Sequence, residues 1–122
     1  MQGPAEFGAL LYASNTKKLA EFYCQTFGFT LLHATTERHI LHKDGWQLII
    51  HQFPDFVSRG DQRAARKNTL KLFFTTDDID ACKISIARHG GQLLHGTWHG
   101  PGFTLGNALD PEGNPFQLRW KA

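Results

Sequence analysis

Seven histidines and a sparse set of amides and cations on strand-like segments are the residues of this 122-residue chain most able to do chemistry. Near its end the run L-D-P-E-G-N-P-F-Q-L-R-W (Leu109–Trp120) sets a tight turn before an alternating segment. Phe116, Leu118 and Trp120 share one face of that segment, and Gln117 and Arg119 share the other. An arginine so placed can hold a carboxylate bidentately, with the neighbouring amide free to donate or accept. Lys71, inside T-L-K-L-F-F-T-T (Thr69–Thr76), would add a point positive charge. In W-Q-L-I-I-H-Q (Trp46–Gln52), Gln47, Ile49 and His51 share a face, which adds an amide and an imidazole.

The histidines do not assemble a metal site by spacing. His39 and His42 are three apart on a predicted strand and point to opposite faces. His95 and His99 would share a face but lie about 13 Å apart at about 3.3 Å per residue. His33 and His89 have no partner by spacing, and His51 is the histidine expected at the functional face.

The elements that must position these groups follow from periodicity. F-G-A-L-L-Y-A (Phe7–Ala13) reads as a buried strand, and Ser14–Asn15 caps a helix over Thr16–Phe27 whose core face is Leu19, Phe22, Tyr23 and Phe27. Gly28 stands where a left-handed C-terminal cap is needed. Strands follow in F-T-L-L-H-A-T, R-H-I-L-H-K and W-Q-L-I-I-H-Q, the last two joined by the hairpin turn Asp44–Gly45. Pro54–Asn68 is polar and mostly basic and reads as a linker or flap. The pattern then restarts: strand Thr69–Thr76, helix from Asp77–Asp78 to about His89, stop at Gly90–Gly91, and strands near Gln92–Trp98, Phe103–Leu109 and Pro115–Trp120.

This restart is an internal repeat. Asn15 and Asp78, like Gly28 and Gly91, are 63 residues apart (78 − 15 and 91 − 28), which sets Leu10 on Phe73. Later the W-Q-L and F-Q-L matches set Gln47 on Gln117. The expected fold is α+β: two βαβββ modules related by a pseudo-twofold, a rolled mixed sheet enclosing a cleft, and each sheet buried against its own helix. The whole chain, 1–122, reads as one domain, with module 1 over about 6–53, the linker over about 54–68 and module 2 over about 69–121.

Three stretches make the chain resemble the vicinal oxygen chelate superfamily of glyoxalases, bleomycin resistance proteins and extradiol dioxygenases: N-T-K-K-L-A-E-F-Y-C-Q-T-F-G-F, T-T-D-D-I-D-A and D-P-E-G-N-P-F-Q-L. The resemblance implies paired modules around a cleft and frequent homodimerisation. It also implies a divalent metal in the enzymes, held by His and Glu at positions that correspond here to Gly8, Lys71, Gln47 and Gln117. Glycine offers no donor, a lysine repels a cation, and two neutral amides bind a hard ion weakly. The expected state is therefore metal-free and without cofactor.

The cleft face should hold Gly8, Leu10 and Tyr12 from the first strand, then Gln47, Ile49 and His51, then Lys71, Phe73 and Thr75, and finally Gln117 and Arg119. Leu10, Tyr12, Gln47, Ile49, His51, Lys71, Phe73, Gln117 and Arg119 are the candidate ligand-binding residues. Apolar walls with amides and fixed cations suit a small, partly apolar molecule bearing an anionic or carbonyl group. A cationic drug such as bleomycin suits them poorly. Three functions compete: a metal-free binding protein; a lyase, isomerase or dioxygenase; and a non-catalytic partner module. The enzyme would use a non-standard metal set of His51, Glu6, Gln47 and Gln117, or His51 as base with Lys71 stabilising an oxyanion. The first is favoured.

Bulk properties narrow the partners. A net charge of +2, with thirteen scattered Lys and Arg, is too weak a bias to argue for nucleic acid or membrane as partner, and neither is expected. The N-terminal stretch has no signal-like apolar run, and Cys24 and Cys82 read as buried thiols, so a cytoplasmic protein is expected; the resemblance adds the expectation of a homodimer.

Overall fold

The computed structural model describes residues Ala5, 7–54 and 70–121, so most of the expected linker and Glu6 lie outside the described residues. The order is β1 (Phe7–Ala13), α1 (Thr16–Phe27), β2 (Thr30–Ala34), β3 (Arg38–Lys43), β4 (Trp46–Gln52), β5 (Leu72–Thr75), α2 (Ile79–Arg88), β6 (Gln92–Leu93), β7 (Trp98–Gly100), β8 (Phe103–Leu109) and β9 (Pro115–Lys121). Among the described residues the fold is α+β with two mixed sheets and no closed barrel. One sheet runs β1-β4-β3-β2; the other runs β5-β9-β8-β6, with β7 also on β8. In each, the first and last strands are parallel and the other pairs antiparallel.

The caps are those the residue types call for. Asn15 Oδ1 accepts from the Lys18 N–H at 3.1 Å, and Asp78 Oδ1 accepts from the Ala81 N–H at 3.1 Å. Gly28 closes α1 at φ 74°, and its N–H reaches Cys24 O. After α2 the left-handed residue is Gly90 (φ 90°), one place before the glycine that the repeat pairs with Gly28. Gly91 has a different job. A Cβ there would sit 2.7 Å from the Phe22 ring and 2.8 Å from Leu109 O, so only glycine lets α1 approach.

One cluster of buried side chains joins both sheets. Leu48, Ile50 and Leu41 come from the first sheet, Phe116, Leu118 and Ala108 from the second, and Leu19, Phe22, Tyr23 and Phe27 from α1. Phe27 stacks on Phe74 at 4.3 Å, and Phe22 meets Phe116 edge-on at 5.9 Å. Each sheet therefore does not rest on its own helix alone. The aromatic face of α1 serves both sheets, while α2 packs against α1 and β6. Glu112, in the last turn, accepts from the backbone N–H groups of Ser14 and Asn15, which ties module 2 to the start of α1.

Two further expectations are corrected. The strand expected over Gln92–Trp98 is split: β6 ends at Leu93, the chain leaves the sheet through Gly96 (φ 99°), and pairing resumes at Trp98. The second concerns the symmetry of the last strands. Gly8, Leu10 and Tyr12 lie beside Gln47, Ile49 and His51, whereas Phe73 and Thr75 lie beside Gln117 and Arg119. With Leu10 on Phe73, Gln117 is thus the mate of Ile49 and Arg119 the mate of His51; Gln47 falls on Pro115. The positive-φ glycines Gly45 and Gly113, 68 residues apart (113 − 45), show why. The turn sets the register, and the shared Q-L letters are two residues out of step with it.

Candidate functional site

The faces that carry Leu10 and Phe73 are turned away from the shared core. Alternation sends Ala9, Leu11 and Phe74 inward, where they pack on the cluster. Their neighbours Leu10 (47% exposed), Tyr12 (43%) and Phe73 (54%) stay open to solvent. All nine expected ligand-binding residues keep the face assigned to them, but they form two open half-surfaces, one per sheet. A pocket of about 230 Å³ bounded by Phe27, Phe29, Lys43, Trp46, Phe73 and Phe74 shares only Phe73 with them.

On the second sheet the side chains are tightly arranged. Arg119 donates its Nε–H to Gln117 Oε1 at 2.8 Å, and both residues are half-buried. Its guanidinium carbon lies 3.9 Å from the centre of the Phe73 ring and 4.8 Å from that of Phe103. Lys71 extends from the start of β5 so that Nζ stands 3.5 Å from Asn107 Oδ1. Asn107 is directly opposite Gln117 across β8 and β9. Phe103 and Asn107 were missed by sequence reasoning. The signal was present, since alternation puts Phe103, Leu105 and Asn107 on one face of β8, but only pairing with β9 assigns that face to the site.

On the first sheet, His51 Nδ1 lies 2.7 Å from Gln52 O, and its ring meets Tyr12 edge-on at 6.1 Å. A carbonyl can only accept, so Nδ1 carries the proton and a neutral His51 presents Nε2 as an acceptor. His51 is not alone there. His42 pairs with Gln47 across β3 and β4 and shares the cleft face, with Nε2 buried and without a hydrogen-bond partner among the described residues. His39, by contrast, pairs with core-facing Ile50.

The positions at which the resembling enzymes hold a divalent ion do not fit one here. A Cβ on Gly8 would stand 2.3 Å from Gln47 O, so no ligating side chain fits without moving the strand. Lys71 is cationic, and Gln117 has turned its oxygen to Arg119. The register mate of Gln117 is the hydrocarbon Ile49. Among the described residues no three His, Cys, Asp or Glu side chains gather as a metal-binding group. Glu6, which the alternative metal set requires, lies outside the described residues.

Asp110 anchors the turn that launches β9. It is buried and accepts four hydrogen bonds: from Tyr23 Oη at 2.7 Å, Asn114 Nδ2 at 3.0 Å, and the N–H groups of Glu112 and Asn114. Burial raises its pKa from the ordinary carboxylate value, and these donors pull it back only in part. Burial, followed by the charge and hydrogen bond of Asp110, pushes the Tyr23 phenol well above its ordinary value. Both belong to the core behind the sheet and do not reach the cleft face.

A family model described as "Glyoxalase/Bleomycin resistance protein/Dioxygenase superfamily" matches residues 7–118. No curated protein matches the chain. Among solved structures, a glyoxalase/bleomycin resistance protein/dioxygenase family enzyme from Burkholderia phytofirmans PsJN superposes with TM-score 0.72 at 18% identity, covering 94% of this chain and 97% of that one. Lactoylglutathione lyase from Agrobacterium tumefaciens gives 0.62 at 20%, covering 97% and 94%. TioX from Micromonospora sp. ML1 gives 0.68 at 16%, covering 98% and 100%. Likeness at these identities establishes the fold and leaves the chemistry to the residues.

Proposed function

We propose, from the premise that the chain belongs to the glyoxalase/bleomycin resistance protein/dioxygenase superfamily, that it is a metal-free protein binding a small, partly apolar molecule with an anionic or carbonyl group. The observation that carries this reading is the arginine clamp. Phe73 and Phe103 flank the guanidinium, Gln117 holds its Nε, and among the described residues the terminal nitrogens are left as a planar fork. That fork supplies in protein atoms what a bound cation supplies in a metal-dependent relative, a fixed positive charge for a ligand oxygen. Leu105, Phe73 and Trp98 beside it offer apolar contact.

A second copy of the chain is proposed to close the open half-surfaces, because Leu10, Tyr12 and Phe73 leave apolar area exposed on the faces that would hold the ligand. The free thiols of Cys24 and Cys82 accord with a cytoplasmic setting.

One observation favours a catalytic reading as the alternative. The His51 tautomer set by Gln52 O leaves Nε2 able to take a proton, with no metal required. Titrating small carboxylic acids into the purified protein and into Arg119→Met, by calorimetry, tests the main reading. Binding that survives unchanged in Arg119→Met overturns it.

A further inference from the structure

Two cations at the second sheet, Arg119 and Lys71, converge on one row. Gln117 and Asn107 are directly opposite each other on β9 and β8, which places their Cβ atoms about 5 Å apart. Arg119 reaches back along its strand to the Gln117 oxygen, and Lys71 reaches across the sheet to the Asn107 oxygen. Neither cation has an acceptor atom, so each amide turns its oxygen toward its cation. The other end of each amide is then an NH₂ group. The row offers the cleft four kinds of donor: Arg119 Nη, Gln117 Nε2, Asn107 Nδ2 and Lys71 Nζ. Each amide oxygen already faces a cation, and no Asp or Glu lies on this face among the described residues.

A surface dominated by donors, with two converging positive charges and no carboxylate among the described residues, suits a ligand with more than one negative charge. One monoanion satisfies the Arg119 fork and leaves Lys71 with only a long contact to an amide. We infer that this row seats a small dianion, a molecule with two negative charges within the reach of one cross-strand pair. A short dicarboxylate and a phosphate group share this chemistry. The inference rests on the anion-binding reading above and narrows it. Phe73, exposed beside Gln117, would set the apolar limit on the ligand's size.

The test compares succinate, inorganic phosphate above its second ionisation, and butyrate, each titrated calorimetrically into the full chain, Lys71→Met and Asn107→Asp. One additional charge-assisted contact is worth about tenfold in affinity. Succinate or phosphate is therefore expected to bind the unmodified protein about tenfold more tightly than butyrate. Lys71→Met is expected to bring that ratio close to one. Asn107→Asp, which keeps the Lys71 contact but replaces a donor with an acceptor and a negative charge, is expected to weaken the dianion at least as much. Melting temperatures of both variants guard against misfolding, and Lys71 is exposed.

A greater gain for succinate than for phosphate assigns the charges to separated carboxylates, and the reverse assigns them to one tetrahedral group. If butyrate binds as tightly as both dianions and Arg119→Met abolishes all three, the dianion inference falls while the anion pocket stands. If no anion binds and Arg119→Met changes nothing, the pocket reading falls and takes this inference with it.

Discussion

Arg119 and Gln117 sit two residues apart on β9, and the arginine Nε–H points back to the glutamine oxygen at 2.8 Å. The amide therefore acts as a positioning group for a guanidinium already flanked by Phe73 and Phe103. A glutamine used this way points its carbonyl oxygen at a fixed positive charge, which disfavours a metal cation there.

Replacing Arg119 by Met is expected to lower carboxylate affinity by about 10- to 100-fold, the value of a charge-assisted pair. Arg119→Lys should recover little, because an ammonium lacks the planar fork and cannot lie flat between two rings while reaching Gln117. Calorimetric titration of both variants checks this, and full rescue by lysine would show that charge alone is read.

Gly8 is the position at which adding the family's ligand type should do harm. Its missing Cβ would stand 2.3 Å from the Gln47 carbonyl oxygen. Gly8→Ala is expected to cost about 1–3 kcal/mol, as overpacking does. Gly8→His should be less stable still and gain no thermal stability from added zinc. Urea denaturation and melting curves with and without zinc measure both effects.

The Tyr23–Asp110 bond should carry a pH signature. Tyr23→Phe removes one of four donors to a buried carboxylate and is expected to cost about 1.5–3 kcal/mol near neutral pH. The folded pKa of Asp110 is raised, so proton uptake stabilises the fold. That contribution is complete below the unfolded value of about 3.9 and is lost as pH rises through the folded value. Because the Tyr23 bond favours the ionised form, the cost of Tyr23→Phe should shrink as Asp110 is protonated. The raised Tyr23 pKa has the same sign: its contribution holds below the unfolded value of about 10 and is lost above the folded one. Denaturation across the acid range checks the expectation, and a cost independent of pH would contradict it.

The two thiols should differ in reactivity. Cys82 is buried, and desolvation with the nearby Asp78 charge raises it to about 11, whereas Cys24 is raised but only partly buried. Iodoacetamide at neutral pH is expected to label Cys24 first and Cys82 only on unfolding. Peptide mass mapping of partially labelled protein reports the order.

Much of this was written in local chemistry. Asn15, Asp78 and Gly28 announce helix ends because capping and left-handed backbone depend on those side chains alone. Phe7–Ala13, Arg38–Lys43 and Trp46–Gln52 form strands over the ranges that alternation and the Asp44–Gly45 turn define. The misreadings came where a longer-range partner decides. The Q-L match suggested Gln47 as the mate of Gln117, but the turns at Gly45 and Gly113 set the register two residues away. Phe103 and Asn107 enter the site only because β8 lies against β9. His42 faces the cleft because it is paired with Gln47, which its spacing from His39 does not reveal. Nor does periodicity say which helix covers which sheet. The breadth of the aromatic face of α1 made it common to both.

The most direct test of metal-free anion binding is a carboxylate titration into protein exhaustively dialysed against EDTA, beside the untreated protein and a sample resupplied with zinc or nickel. Affinity is expected to be the same in all three, with the same loss in Arg119→Met. Binding that vanishes with EDTA and returns with one equivalent of metal would contradict it.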